Sequence, residues 1–97
     1  MLEVLEIDRK KIKQKLRGLK KKGGRLITIS DLSNSLVYHL ILNEKTINLK
    51  VKLDKKKPEM DSMTSVFPNA VLYEREVMEK TNIRIKGHPN PKKLFTE

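Results

Sequence analysis

Apolar residues recur at two periods along this chain, and the change of period falls at Gly23-Gly24. Upstream, Ile12, Leu16 and Leu19 are spaced to share one stripe of an α-helix. Asp8 stands where an N-cap is favoured, Ile7 can staple against Ile12, and Lys20, Lys21 and Lys22 suit the negative end of the helix dipole. The glycines supply a left-handed stop, so the pattern predicts a helix over 8–22. Ahead of it, Leu2, Val4, Leu5 and Ile7 permit a short strand.

Downstream of the glycines the period becomes alternating. Leu26 to Ile29 reads as a strand that ends in the turn-forming run Ser30 to Asn34. Leu36 to Leu42 then meets a polar turn at Asn43-Glu44-Lys45. The chain returns with Ile47, Leu49, Val51 and Leu53 alternating against Asn48, Lys50, Lys52 and Asp54. This predicts an antiparallel hairpin with one buried and one basic face, closed by Lys55-Lys56-Lys57-Pro58, where proline stops further ladder pairing. Asp61 or Ser62 can cap a short helical turn through Phe67, and Asn69 a helix over about 70–81. Beyond it Ile83 and Ile85 alternate with Arg84 and Lys86, and Gly87, Pro89 and Pro91 favour an extended path. The expected architecture is α+β, a mainly antiparallel sheet packed with an N-terminal helix and a shorter C-terminal one. The domain is expected over 1–83 and an extended docking arm over 84–97, with Asn90 to Glu97 ordered only against a partner.

Composition narrows the chemistry. With 97 residues and 37% hydrophobic content the chain suits one modest aliphatic core. It has no cysteine, so thiolate metal sites, disulfides and cysteine catalysis are excluded for this chain. No apolar run approaches the roughly 20 residues needed to cross a bilayer, and the first residues lack a signal-peptide core, which predicts an intracellular protein. The net charge of +10 is uneven: nine basic against three acidic residues in 1–24, seven against three in 25–57, and six against six in 58–97. Such an excess fits nucleic acid, anionic lipid or a lysine-clothed surface of the hyperthermophile kind. With only Tyr38, Phe67, Tyr73 and Phe95 as aromatics there is no base-stacking cluster.

The order of residues is more specific. LITISDL followed by VYHL, a lysine-rich strand, SVFPNAVLYEREV and IRIKGHPNPKKLFTE together resemble the 30-kilodalton subunit family of respiratory NADH:quinone oxidoreductases (complex I), and its relatives in membrane-bound nickel-iron hydrogenases. The likeness spans nearly the whole chain and is strongest at Phe67-Pro68, Ala70, Tyr73 with Glu74-Arg75-Glu76, and at Gly87-His88-Pro89 with Lys92-Lys93-Leu94. The chain departs from the family where Met78 to Asn82 replaces an Asp-Met-Phe-Gly-like corner, where Leu72 replaces tryptophan, and where Asn90 replaces aspartate. Asn82 can supply the left-handed turn that glycine would give. These departures point toward the hydrogenase-linked branch.

The resemblance implies a noncatalytic subunit in the peripheral arm of a complex I-like oxidoreductase or energy-converting hydrogenase, on the cytoplasmic side of the membrane. No cofactor is expected in this chain, and iron-sulfur clusters, with nickel-iron in hydrogenase-type complexes, are expected in partners. Those partners are the hydrogenase-like large subunit, the iron-sulfur small subunit and, indirectly, membrane subunits; nucleic acid is not expected. The candidate interface residues are Tyr73, Glu74, Arg75, Glu76, Arg84, Gly87, His88, Pro89, Lys92 and Lys93. Read as a solvated helix face, the same stretch would carry a Glu76–Lys80 pair instead. Tyr73 is placed in the core with its hydroxyl at the edge, and His39 reads as a satisfied structural histidine. The competing function class is a small RNA-binding or ribosome-associated protein, supported only by the charge.

Overall fold

In the computed structural model, which describes residues 4–89, the change of period at the glycines is a change from helix to sheet. Strand β1 (Val4–Glu6) precedes helix α1 (Ile12–Lys21), and strands β2 (Arg25–Leu32), β3 (Ser35–Leu42) and β4 (Lys45–Lys52) follow. Then come β5 (Glu59–Asp61), helix α2 (Ala70–Lys80) and β6 (Arg84–Lys86). The α+β expectation holds. The four-stranded sheet has the order β1-β4-β3-β2; β2, β3 and β4 are antiparallel, and β1 adds to β4 in parallel.

Both hairpin turns place an asparagine, which tolerates left-handed backbone, at a position that needs it. Asn43 and Glu44 lie at φ 52° and 64°, the type I′ geometry whose twist matches the flanking strands, and Asn34 at φ 57° serves the β2–β3 turn. The predicted strand Leu26 to Ile29 therefore runs on through Ser30 and Asp31 to Leu32, and the turn contracts to Ser33-Asn34. The stop of α1 is as expected. Gly23 at φ 98° donates to the Lys20 carbonyl and Gly24 to that of Leu19, so both glycines satisfy carbonyls of the last turn. A Cβ on Gly24 would sit 2.8 Å from the Leu19 oxygen.

Four local expectations are corrected. Helix α1 begins at Ile12 rather than at 8, because the Asp8 carboxylate accepts the Lys10 N–H at 2.9 Å and its carbonyl accepts that of Lys11 at 2.8 Å, forming a separate turn. Asn69 precedes α2 but does not cap it; its amide donates to the Leu26 carbonyl at 3.0 Å and ties the helix to β2. Asn82 has no left-handed backbone: α2 ends at extended Thr81, whose hydroxyl donates to Val77 O and accepts from Ile83 N. Finally, Pro58 ends the β3–β4 hairpin yet opens a second sheet. Its carbonyl accepts the Arg84 N–H at 3.0 Å, and β5 pairs in parallel with β6. Arg84 to Lys86 thus belongs to the domain rather than to an arm; residues 90–97 lie outside the described residues.

One sheet face is covered and forms the core. Leu36, Tyr38 and Leu40 of β3 and Leu49 and Val51 of β4 pack in one cluster with Ile12, Leu16 and Leu19 of α1 and with Ala70 and Val77 of α2. Met60, Met63, Val66, Phe67, Ile83 and Ile85 complete it. On the opposite face His39 bridges strands: its Nδ1–H donates to Asn48 Oδ1 at 2.7 Å, leaving Nε2 to accept the Ser30 hydroxyl at 2.9 Å. His39 is the satisfied structural histidine its strand predicted.

Tyr38 is fully buried, and its hydroxyl has no hydrogen-bond partner. Burial first, then the carboxylates of Glu74 and Asp61, push its ionisation far above the ordinary tyrosine range. Removing an orphaned buried hydroxyl removes a desolvation cost. Tyr38→Phe is therefore expected to raise stability by about 1 kcal/mol, read as a higher urea midpoint at unchanged slope.

Candidate partner interface

The candidate residues lie on α2 and on the strand and turn that follow it. Ala70, Glu74 and Val77 recur at spacings of four and three and face inward. That places a carboxylate in the core. Glu74 is 1% exposed; its Oε1 accepts the Ser62 hydroxyl at 2.8 Å and its Oε2 the Met63 N–H at 2.7 Å. The Ser62 oxygen in turn accepts the Thr64 N–H at 3.2 Å, so the carboxylate secures the turn between β5 and α2. Burial raises the Glu74 pKa; the Met63 and Ser62 hydrogen bonds and the positive potential of His88 and Lys13 oppose it. Glu74 is thus corrected from an interface residue to an internal clamp.

His88 is corrected in the same sense. The residue is 5% exposed, and Nε2–H donates to the Val71 carbonyl at 3.0 Å, so it seats residues after β6 on α2. Gly87, at φ 81°, makes the left-handed bend that turns the chain from β6 toward that contact. Pro89 and Arg84 are exposed; the Arg84 guanidinium lies 4.0 Å from the Glu59 carboxylate. Lys92 and Lys93 lie outside the described residues.

Tyr73 is half-buried and packs against the core on the side of Ala70 and Val77, as its spacing predicted; it lines a shallow recess with Lys20, Arg25, Ile27 and Phe67, where Lys20 Nζ donates to Val66 O at 2.6 Å and stands 5.8 Å from the centre of the Phe67 ring. The outward side of α2 is different. Glu76 is exposed and forms no ion pair with Lys80 among the described residues. Leu72, Arg75 and Glu79 follow at spacings of three and four, on the side away from Ala70 and Val77. Leu72 is 58% exposed, while Arg75 Nε and Glu79 Oε2 are shielded from water without a hydrogen-bond partner. A buried donor and a buried acceptor left unmade are each costly, and an exposed apolar side chain lies one turn before them on the same side of the helix. Sequence reasoning named Arg75 but missed Leu72 and Glu79 as interface candidates; the helical spacing that puts Ala70 and Val77 inside already puts these two outside.

Glu74→Ala would orphan the Met63 N–H and leave the Ser62 hydroxyl only the Thr64 hydroxyl, 2.9 Å away, and is expected to cost about 2 kcal/mol. Glu74→Gln keeps the shape and removes the charge. Because the native pKa is raised, the folded state holds its proton to higher pH than the unfolded chain does. Wild type is therefore expected to gain stability relative to Glu74→Gln as pH falls from neutral toward the unfolded carboxylate value of about 4.3, and to gain nothing further below it. Parallel urea titrations across that range check the sign.

Comparison with known proteins gives this geometry a family. Residues 5–97 match the family described as respiratory-chain NADH dehydrogenase, 30 Kd subunit. The C/D subunit of NADH-quinone oxidoreductase from Proteus mirabilis is 44% identical over 63 residues, which are 63% of this chain and 10% of that protein. The C subunit of NADH-quinone oxidoreductase from Moorella thermoacetica is 36% identical over 62% of this chain and 42% of its own length. The chain thus spans less than half of either relative. The trypsin-resistant fragment of Nqo5 superposes with a TM-score of 0.82 at 20% identity, over 90% of this chain and 80% of the fragment, and shows the shared fold. A chain of the membrane-bound sulfane sulfur reductase, an archaeal respiratory membrane complex, superposes with a TM-score of 0.75 at 25% identity over 99% of this chain and 64% of its own. The protein belongs to the 30 Kd subunit family of the respiratory-chain NADH dehydrogenase.

Proposed function

We propose that this chain is a noncatalytic, peripheral-arm subunit of a membrane-bound respiratory oxidoreductase, and that the outward side of α2 docks it onto the hydrogenase-like large subunit. Family membership over residues 5–97 supports the class of assembly, and the likeness to a chain of a membrane-bound sulfane sulfur reductase, itself a respiratory membrane complex, supports a place in such a complex. Arg75 carries the docking assignment: its shielded Nε lacks an acceptor beside exposed Leu72. Swung outward on docking, that guanidinium would meet a partner carboxylate in a planar, two-bond geometry that lysine cannot copy. Tyr73, Glu76, Arg84, Gly87 and Pro89 form the rim of this reading, with Lys92 and Lys93 continuing beyond the described residues. Glu74 and His88 contribute by holding α2 and the following turn in place.

On this reading the chain binds no cofactor. Iron-sulfur clusters, and nickel-iron where the complex is of hydrogenase type, belong to the large subunit and the iron-sulfur small subunit, because this chain has no cysteine to supply thiolate ligands. Its place is the cytoplasmic side of the membrane, held there through its partners, and contact with membrane subunits is indirect. Neither the family nor its named relatives concern nucleic acid, and RNA binding keeps only the basic composition in its favour.

Affinity purification of the complex from native cells tests the assignment. Arg75→Ala and Leu72→Asp are each expected to lower the co-purifying large subunit about tenfold, equivalent to about 1.4 kcal/mol, with the melting temperature of the isolated chain nearly unchanged. Lys21→Ala should leave recovery intact, since isolated exposed charges contribute little. Recovery of the complete complex with both α2 variants, or of RNA in its place, would refute the reading.

A further inference from the structure

A second surface lies away from the outward side of α2. Between the end of β1 and helix α1 runs a cleft of about 550 Å³. Ile7 and Leu19 give it apolar wall, and Lys11, Lys15 and Lys22 stand along the helix side. Two carboxylates, Glu6 and Asp8, also line it, but each already has an internal partner: Glu6 lies 3.6 Å from Lys52 Nζ, and Asp8 accepts the Lys10 N–H at 2.9 Å. The three lysines form no ion pair among the described residues. The cleft is therefore net cationic where a ligand would enter.

Gly18 lies in the same wall, within α1. Glycine inside a helix is less favourable than alanine, so its presence calls for a reason. None comes from packing, because a Cβ added there would meet nothing within 4 Å. Its effect is to leave the helix backbone bare at the cleft, where another backbone can approach closely. Beside the cleft, β1 is an edge strand among the described residues. Ile7 N–H donates to the Lys50 carbonyl, so in the parallel ladder Leu5 and Ile7 turn their backbone groups toward β4, and Val4 and Glu6 direct theirs to the open side. Val4 and Leu5 are exposed apolar side chains. The opposite edge is less receptive: β2 is interrupted by a bulge at Ile27, and Asn69 occupies the Leu26 carbonyl.

We propose that the cleft between α1 and the end of β1 receives an extended acidic segment of a partner protein, whose backbone passes α1 at Gly18. Alternating side chains of such a segment meet the apolar wall and the lysines, and its main chain can bond along the free edge of β1. A phosphate backbone fits less well, because the apolar wall of Ile7 and Leu19 offers a phosphodiester nothing, whereas alternate side chains of a peptide can cover it. The inference is independent of the role given to α2.

Site-specific photocrosslinking in the native complex tests it. The full chain carrying a benzophenone amino acid in place of Gln14, which lines the cleft, is produced in its own cells, irradiated, and the crosslinked segment sequenced. The expected product is a protein segment rich in Asp and Glu. Joint reversal by Lys11→Glu, Lys15→Glu and Lys22→Glu should lower the crosslink about tenfold. Gly18→Leu should act in opposite directions on two readouts, abolishing the crosslink while raising the Tm of the isolated chain by about 4 °C. Crosslinking to RNA, to lipid, to a second copy of this chain or to a segment without acidic excess would overturn the proposal, as would no crosslink or an undiminished one in the Gly18 variant.

Discussion

A carboxylate in the core holds this small domain together. Glu74 carries a group that would ordinarily ionise into a place where water cannot reach it, and such burial is tolerated only where hydrogen bonds replace hydration. The Ser62 hydroxyl and the Met63 N–H supply them, with the positive potential of His88 and Lys13 behind. Both donors lie in the stretch between β5 and α2, which has little regular structure of its own. The carboxylate thereby converts an irregular segment into a fixed one. It also sets where Phe67, Val66 and Met63 enter the core, and so how α2 lies against the sheet.

That dependence explains what was legible in the sequence and what was not. The antiparallel strands could be read because their signals are local: alternation in Ile47 to Leu53, and Asn43-Glu44 where a tight turn needs left-handed backbone. The end of α1 was legible for the same reason, since the two glycines satisfy helix carbonyls only a few residues behind them. Failures occurred where a polar side chain chose a distant or unexpected partner. Asn69 has the residue type of a cap but bonds to Leu26 across the fold, and Asp8 closes its own turn before the helix begins. The β5–β6 pairing joins three-residue strands far apart in sequence, too short to show a period.

The candidate site divides along the same line. Helical spacing puts Glu74 beside Ala70 and Val77 on the inward side, so its burial was available from the pattern, but a run of three charged residues in Glu74-Arg75-Glu76 reads as surface. The partner that makes burial tolerable, Ser62, is twelve residues away and carries no pattern that points to a carboxylate. His88 was misplaced for a related reason: flanking Gly87 and Pro89 predict irregular backbone correctly, yet irregular backbone does not imply an exposed side chain. The left-handed bend at Gly87 is what returns His88 to the Val71 carbonyl.

The basic composition is a weaker guide to the partner surface than a few atoms on α2. Three of the ion pairs converge on one carboxylate, Glu59, from Lys57, Arg84 and Lys86 at 3.6 to 4.0 Å, all with exposed cationic ends. Pairs at such distances in contact with water contribute little individually and are screened by salt. They keep β5 and β6 in favourable electrostatic company without specifying anything outside the chain. Lys20 is internal in another way, with its amine near the Phe67 ring and bonded to the Val66 carbonyl. A polar atom shielded from water with nothing to bond is a stricter signal, because its cost persists until the side chain moves to meet a matching group. Arg75 Nε and Glu79 Oε2 meet that condition on the side of α2 that carries exposed Leu72. The net charge governs solubility and approach, whereas under the proposed docking these unsatisfied atoms would set the geometry that a partner completes.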